Sequence, residues 1–232
     1  MSYSPQLPSL EEMLNAGVHF GQRTSSWHPK MKPYIFTSRN GIHIIDLNIT
    51  QEKLRIALDF LQKIVSEGKV VLFVGTKNQV KKPLKETAFE VGMPYVSEKW
   101  IGGLLTNFPI VRKSIKKYND LVQERDSGKL EKYTKKERMY FEKDIQKMET
   151  KFGGVSELKK MPDVLFVWDI KRERIAVEEA IKKNIPVIGI CDTNVNPELV
   201  NYPIPANDDA TKTIKLIMNL VKNTIKESQN NK

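Results

Sequence analysis

Val70-Val-Leu-Phe-Val-Gly-Thr-Lys77 is a run of five apolar residues followed by a polar turn. A run this short, rich in β-branched and aromatic side chains, is strand-sized. Its lack of alternation implies burial on both faces. Val164-Leu-Phe-Val-Trp168 and Val187-Ile-Gly-Ile-Cys191 repeat the pattern. Around these runs the period becomes helical. Leu54, Leu58, Leu61 and Val65 recur every three or four positions, forming one buried face of a helix that Thr50 caps and Gly68 stops. A second helix is expected from about Asn78 to Val91, with Pro83 as a place for a break or a late start. Tyr95-Val96 reads as a short strand, and helices are expected over Arg174 to Lys183 and Asp208 to Lys226. Apolar strands alternating with amphipathic helices imply an α/β fold, a mostly parallel sheet flanked by helices on both faces.

Upstream, Ser9-Leu-Glu-Glu12 fits a capping box that opens a short helix ending at Gly17. The stretch after it, Val18 to Met31, reads as turns. Tyr34-Ile-Phe-Thr37 and Ile42-His-Ile-Ile45 flank Asn40-Gly41, the strongest short hairpin signal.

Between Phe108 and Gly153 the rhythm differs. Val111, Ile115, Tyr118 and Val122 are spaced four, three and four, and Phe141, Ile145, Met148 and Phe152 repeat that spacing. Stripes this narrow suit two helices packed on each other as a coiled coil better than two helices packed on a sheet. Asp126-Ser-Gly128 turns the chain, Thr134-Lys-Lys-Glu137 is a second capping box, and Gly153-Gly154 closes the return helix. Residues 108–153 are therefore read as an inserted antiparallel two-helix coiled-coil hairpin. Residues 1–107 and 154–227 form the α/β domain, and 228–232 a flexible tail.

Composition narrows the function. The chain has 232 residues and a formal net charge of +10, so a polyanion is the natural partner. A single cysteine, Cys191, excludes a disulfide framework and suits a reducing, cytoplasmic setting. Met1-Ser-Tyr-Ser-Pro-Gln-Leu-Pro8 has no cationic start followed by an apolar stretch, so a secretory leader is not expected. No apolar run approaches the roughly 20 residues of a membrane-spanning helix.

Open α/β sheets bind ligands at the carboxyl ends of their strands. Gly75-Thr-Lys77, Trp168-Asp169 and Cys191-Asp-Thr-Asn194 stand there, so a small-molecule enzyme is the second reading. The glycine-rich loops that cradle phosphate are missing. Asp169 and Asp192 could act as acid and base or hold magnesium, but aspartates after strands more often cap the next turn. His19, His28, His43 and Cys191 are scattered without metal-ligand spacing. No catalytic residue, metal, cofactor or small-molecule substrate is expected.

The nucleic-acid signal is stronger. Residues 69–85 hold five lysines and no acid, and residues 112–151 hold 13 Lys/Arg against 8 Asp/Glu. Arg23, Lys30, Lys32 and Arg39 surround Trp27 and Tyr34. Cations interleaved with aromatics suit phosphate contacts beside stacking.

Several blocks, in order and in register, resemble the bacterial-type small-subunit ribosomal protein S two family from about Leu14 to Ile217. They are Ala16-Gly-Val-His-Phe-Gly21, Trp27-His-Pro-Lys-Met31, Arg39-Asn-Gly-Ile-His-Ile-Ile-Asp-Leu47, Leu72-Phe-Val-Gly-Thr-Lys77 and Trp100-Ile-Gly-Gly-Leu-Leu-Thr-Asn107. Pro162-Asp-Val-Leu-Phe-Val167, Asp192-Thr-Asn194, Tyr202-Pro-Ile-Pro205 and Asn207-Asp-Asp-Ala210 complete them. The resemblance implies a Rossmann/flavodoxin-like domain with a coiled-coil insertion and no catalysis. It implies binding to small-subunit ribosomal RNA near the head–body junction, beside neighbouring ribosomal proteins. In many bacteria the family helps recruit ribosomal protein S one, and Thr134-Lys-Lys-Glu-Arg138 matches the bacterial form. On this reading Arg23, Lys30, Lys32, Arg39, Lys99, Arg112, Lys113, Lys116 and Lys117 contact phosphates. Trp27 and Trp100 either stack on RNA or lock their loops. Where the family usually has His-Gln-Thr after Phe-Gly, this chain has Gln22-Arg23-Thr24.

Overall fold

A computed structural model describes residues 7–230 of the chain. Most of the N-terminal stretch read for a leader, and the last two residues of the polar tail, lie outside them. Helix α1 (Leu10–Ala16) starts at its capping box: the Glu12 N–H donates to Ser9 Oγ at 3.1 Å and the Ser9 N–H to the Glu12 carboxylate at 2.8 Å. Strands β1 (Phe20–Arg23), β2 (Ile35–Arg39) and β3 (Ile42–Ile45) form an antiparallel sheet in the order β1-β3-β2. Asn40 and Gly41 turn between β2 and β3 with φ of 51° and 74°, the two left-handed residues such a hairpin needs. β1 corrects the reading of its stretch as turns, because Phe20 and Arg23 pair with β3.

Helix α2 (Leu47–Ser66) starts earlier than expected. Asp46, not Thr50, is its cap and accepts the Asn48 N–H at 2.9 Å. The buried Thr50 hydroxyl donates instead to the Pro205 carbonyl at 2.7 Å and ties the helix to the sheet. After β4 (Val71–Val74), helix α3 (Asn78–Glu90) runs through Pro83 without a break. The bond that Pro83 cannot make falls on the carbonyl of Gln79, an exposed residue in the first turn where water can replace it. Strand β5 (Tyr95–Val96), helix α4 (Phe108–Asp126) and helix α5 (Lys135–Phe152) come next.

In α5 the Thr134 capping box forms as expected. The Gly153-Gly154 exit does not follow the left-handed rule: Gly153 stays right-handed at φ −53° and leads into a 3-10 turn. Gly154 is needed for another reason, since a Cβ there would strike the carbonyl and ring of Tyr95. The two stripes are buried at their centres: Ile115 and Ile145 are 3% and 1% exposed. Asn119 Nδ2 donates to the Ser156 carbonyl at 2.9 Å, and Arg125 faces Glu142 at 3.8 Å, so α4 and α5 run in opposite directions.

The chain then completes the sheet with β6 (Val164–Val167), helix α6 (Arg174–Lys182), β7 (Val187–Cys191) and β8 (Tyr202–Pro205). It ends in helix α7 (Thr211–Asn230). The α7 start corrects the expected one, because Asn207 Oδ1 accepts the N–H groups of Asp209 and Ala210 and holds 207–210 as a turn. The tail boundary is corrected too. Residues 228–230 are helical, Ser228 is buried, and Gln229 Nε2 donates to the Val91 carbonyl at 2.9 Å.

The main sheet is parallel throughout, in the order β5-β4-β6-β7-β8. Numbered from β4 this is 2-1-3-4-5, the flavodoxin-like order of doubly wound sheets. Side chains alternate between two cores. Phe73, Phe166, Trp168, Ile188 and Ile190 face Leu54, Leu58, Leu61, Ile214 and Val221 of α2 and α7. Leu72, Val74, Leu165, Val167 and Val187 face Ala176, Val177, the segment around Leu104 and Leu105, and the roots of α4 and α5. Burial on both faces is why these strands are apolar without alternation. β8 is interrupted by Pro203 and Pro205, which remove its strand pattern from the sequence. It stands at the edge, the one place a ladder tolerates proline.

Candidate nucleic-acid interface and strand-end crevice

The chain leaves β4 for β5 on one side and returns to β6 on the other. That reversal opens a crevice at the carboxyl ends of the strands. The crevice is a polar cleft of about 400 Å³ whose lining includes Gln22, Lys77, Asp169, Arg172, Asp208 and Asp209. Its groups satisfy one another. Lys77 Nζ lies 2.7 Å from Asp208 Oδ1, 2.6 Å from Asp209 Oδ1 and 3.8 Å from Asp169 Oδ2. β1 delivers Gln22, whose Nε2 donates to Asp192 at 2.9 Å and to Asp209 at 3.1 Å. The Trp168 indole N–H donates to the Asp208 carbonyl at 3.0 Å.

Electrostatics follow from this burial. Burial, then the charges of Asp169 and Asp192, push the Asp208 carboxyl up to about 7 against the pull of Lys77. Burial works against the Lys77 charge, but the hydrogen bonds it donates to Asp208 and Asp209 outweigh it and raise its pKa. The carboxylate oxygens of Asp192, Asp208 and Asp209 come within 4.8 Å of one another, as metal ligands do. The Lys77 ammonium already stands against two of them. Asp169 caps the following turn by accepting the Arg172 N–H at 3.0 Å. Burial pushes the Cys191 thiol far up and makes it a poor nucleophile.

A second polar centre escaped the sequence reading. Glu179 of α6 is 6% exposed, yet it accepts five hydrogen bonds. They come from the Trp100 indole at 3.0 Å, the N–H groups of Gly103, Leu105 and Thr106 at 2.7, 3.0 and 3.0 Å, and the Thr106 hydroxyl at 2.9 Å. Burial opposes its charge, but the bonds from Thr106, Trp100, Gly103 and Leu105 prevail and hold its pKa below the ordinary value. One carboxylate thus replaces secondary structure for the segment between β5 and α4. The only sequence signal for it is an acid on the buried face of α6, beside Ala176 and Ala180. Glu173, also buried, does a smaller version of this work by accepting the Thr76 N–H and hydroxyl at 2.8 and 2.6 Å.

Of the two alternatives, stacking on RNA or locking its loop, this geometry favours the second for Trp100. Its ring is 9% exposed and its N–H is taken, so it locks its loop. Trp27 is different: it is 39% exposed, with one side of its ring near His43 at 5.3 Å.

The expected cations divide among three places. Arg23 ends β1, Arg39 ends β2, and Lys30 and Lys32 lie on the turn between these strands. Lys99 stands on the Glu179-held segment. Arg112, Lys113, Lys116 and Lys117 occupy the face of α4 turned away from Val111, Ile115 and Tyr118. All nine are exposed. Among the described residues only Lys30 of the nine forms an ion pair, with Glu198 at 2.9 Å.

A family model described as "Ribosomal protein S2" matches residues 13–228. The "Small ribosomal subunit protein uS2" of Coprothermobacter proteolyticus is 48% identical over 221 residues, covering 95% of this chain and 82% of that protein. A match of that extent establishes that the chain belongs to the ribosomal protein S2 family.

Proposed function

We propose that the chain is a structural constituent of the small ribosomal subunit that binds ribosomal RNA near the head–body junction. As a member of its family it is a ribosomal structural protein and not an enzyme. The observation that supports RNA binding best is the unneutralised charge: eight exposed cations in three places lack an acidic partner among the described residues. A surface with free cations and a net charge of +10 is suited to phosphate. Arg23, Lys30, Lys32, Arg39, Lys99, Arg112, Lys113, Lys116 and Lys117 take the phosphate contacts, and Trp27 takes the stacking position.

Residues 1–107 and 154–230 act as the globular body and 108–153 as a coiled-coil arm that carries the α4 cations. Neighbouring ribosomal proteins meet the rest of the surface, and the chain helps to recruit ribosomal protein S one. No helix among the described residues is long and apolar enough to cross a membrane. The place of action is the ribosome in the cytoplasm.

Salt dependence is the test. Each duplex phosphate neutralised contributes about −0.9 to the slope of log affinity against log salt. Replacing Lys116 and Lys117 by alanine is expected to weaken binding to small-subunit ribosomal RNA and to flatten that slope by about one to two. Filter binding across a salt series measures both. An affinity that does not change with salt would refute the reading.

A further inference from the structure

A pocket of about 640 Å³ lies where α3 and β5 meet the roots of α4 and α5. Nothing assigned above uses it. Tyr95 and Tyr118 are part of its wall, and Gly154 packs so closely on Tyr95 that the backbone itself forms part of the lining. Lys85 and Lys151 line it from opposite elements, and neither forms an ion pair among the described residues. Two acids also line it. Glu98 is engaged by Lys81 at 2.6 Å, whereas the Glu149 carboxylate accepts no hydrogen bond among the described residues.

This chemistry is not that of a bare phosphate site, because Glu149 would repel the anion. It suits a nucleobase with its phosphates outside. Aromatic rings offer a face to a base, a free carboxylate accepts from N–H groups on a base edge, and flanking lysines hold the backbone. A volume of this size accommodates a ligand as large as a nucleotide. The α3 surface extends the site, since Lys82 lies one turn before Lys85 and Phe89, 81% exposed, one turn after it.

We propose that this pocket receives one unstacked nucleotide of ribosomal RNA, with its base beside Tyr95 and Tyr118, its N–H edge on Glu149 and its flanking phosphates on Lys85 and Lys151. Guanine fits best, because its two adjacent N–H donors match the two oxygens of a carboxylate. The proposal rests on the RNA-binding reading and deepens it.

The test compares small subunits assembled with the full chain, with Glu149→Gln and with Thr150→Trp. Thr150 lines the pocket from an exposed position on α5, so tryptophan there fills the space without touching the core. Probing with a reagent that modifies the N–H edge of guanine should find one guanine protected by the natural chain. That guanine should become reactive with either variant, and affinity for the RNA should fall roughly ten-fold, as for loss of one stacked base. Subunits that contain a variant yet show no changed guanine would overturn the proposal. So would a cross-linker at position 150 that captures a ribosomal protein in place of RNA. If the natural chain itself fails to enter small subunits, the RNA reading falls and the pocket proposal with it.

Discussion

Glu179→Ala is expected to lower the unfolding free energy by about 3–5 kcal/mol, the range for breaking a buried charged network. For a chain of this size that is a fall of about 10 °C in Tm. The loss does not come from Glu179 alone. Five donors, three of them backbone N–H groups, lose their acceptor in a place water reaches poorly. Glu179→Gln keeps one acceptor oxygen and should cost less. The sign of the pH dependence follows from the lowered pKa. The carboxylate's contribution is complete above the ordinary glutamate value of 4.5 and disappears as pH falls through the lower folded value. Urea denaturation at pH 7 and at pH 3.5 measures this: the gap between natural chain and Glu179→Ala should narrow in acid. A gap under about 1 kcal/mol at pH 7 would mean that the segment around Trp100 holds itself.

Lys77→Met should rank beside it, at about 3–5 kcal/mol at pH 8, because it strips the ammonium from the buried Asp208 and from its neighbours Asp169 and Asp209. Here the pH dependence has the opposite sense. Asp208 already titrates at about 7, above its ordinary 3.8, so its ionised form costs stability as pH rises through that value. Without Lys77 its folded pKa rises further. The deficit of the variant should therefore be largest at pH 8 and shrink toward pH 5, where the orphaned carboxyl takes up a proton. Thermal melts at both values check this. A deficit that grows in acid would show that Lys77 is not the group that keeps the aspartates charged.

These two centres mark where sequence reading stops. The five-residue apolar runs declared the sheet, because burial on both faces leaves no alternation to confuse them. The stripes at 111–122 and 141–152 declared two helices for the complementary reason: four apolar positions in a helix leave a clear period. The capping boxes at Ser9 and Thr134 formed as written. What could not be read depends on partners far apart in the chain. Glu179 receives bonds from residues more than seventy positions away, and Lys77 meets Asp208 across 131. Local pattern says nothing about either. The blocks at Trp100–Asn107 and Asn207–Ala210 are recognisable as strings, but only the coordinates reveal that one is a set of donors for Glu179 and the other an anchor for Lys77. For Trp100 the sequence leaves two alternatives, stacking on RNA or locking its loop, and cannot choose between them. Its buried acceptor lay in another element.

The prolines of β8 have a consequence for the protein before it meets its subunit. Ile204 and Ala206 turn their N–H groups toward β7, so the alternate positions, Pro203 and Pro205, face outward with no N–H to offer. The outward Pro205 carbonyl is taken by Thr50. An arriving strand would find no donor at either proline and the Pro205 carbonyl already taken, so β8 is a poor template for growth of the sheet into a neighbouring molecule. A newly made chain is thereby protected from pairing with its own copies through this edge.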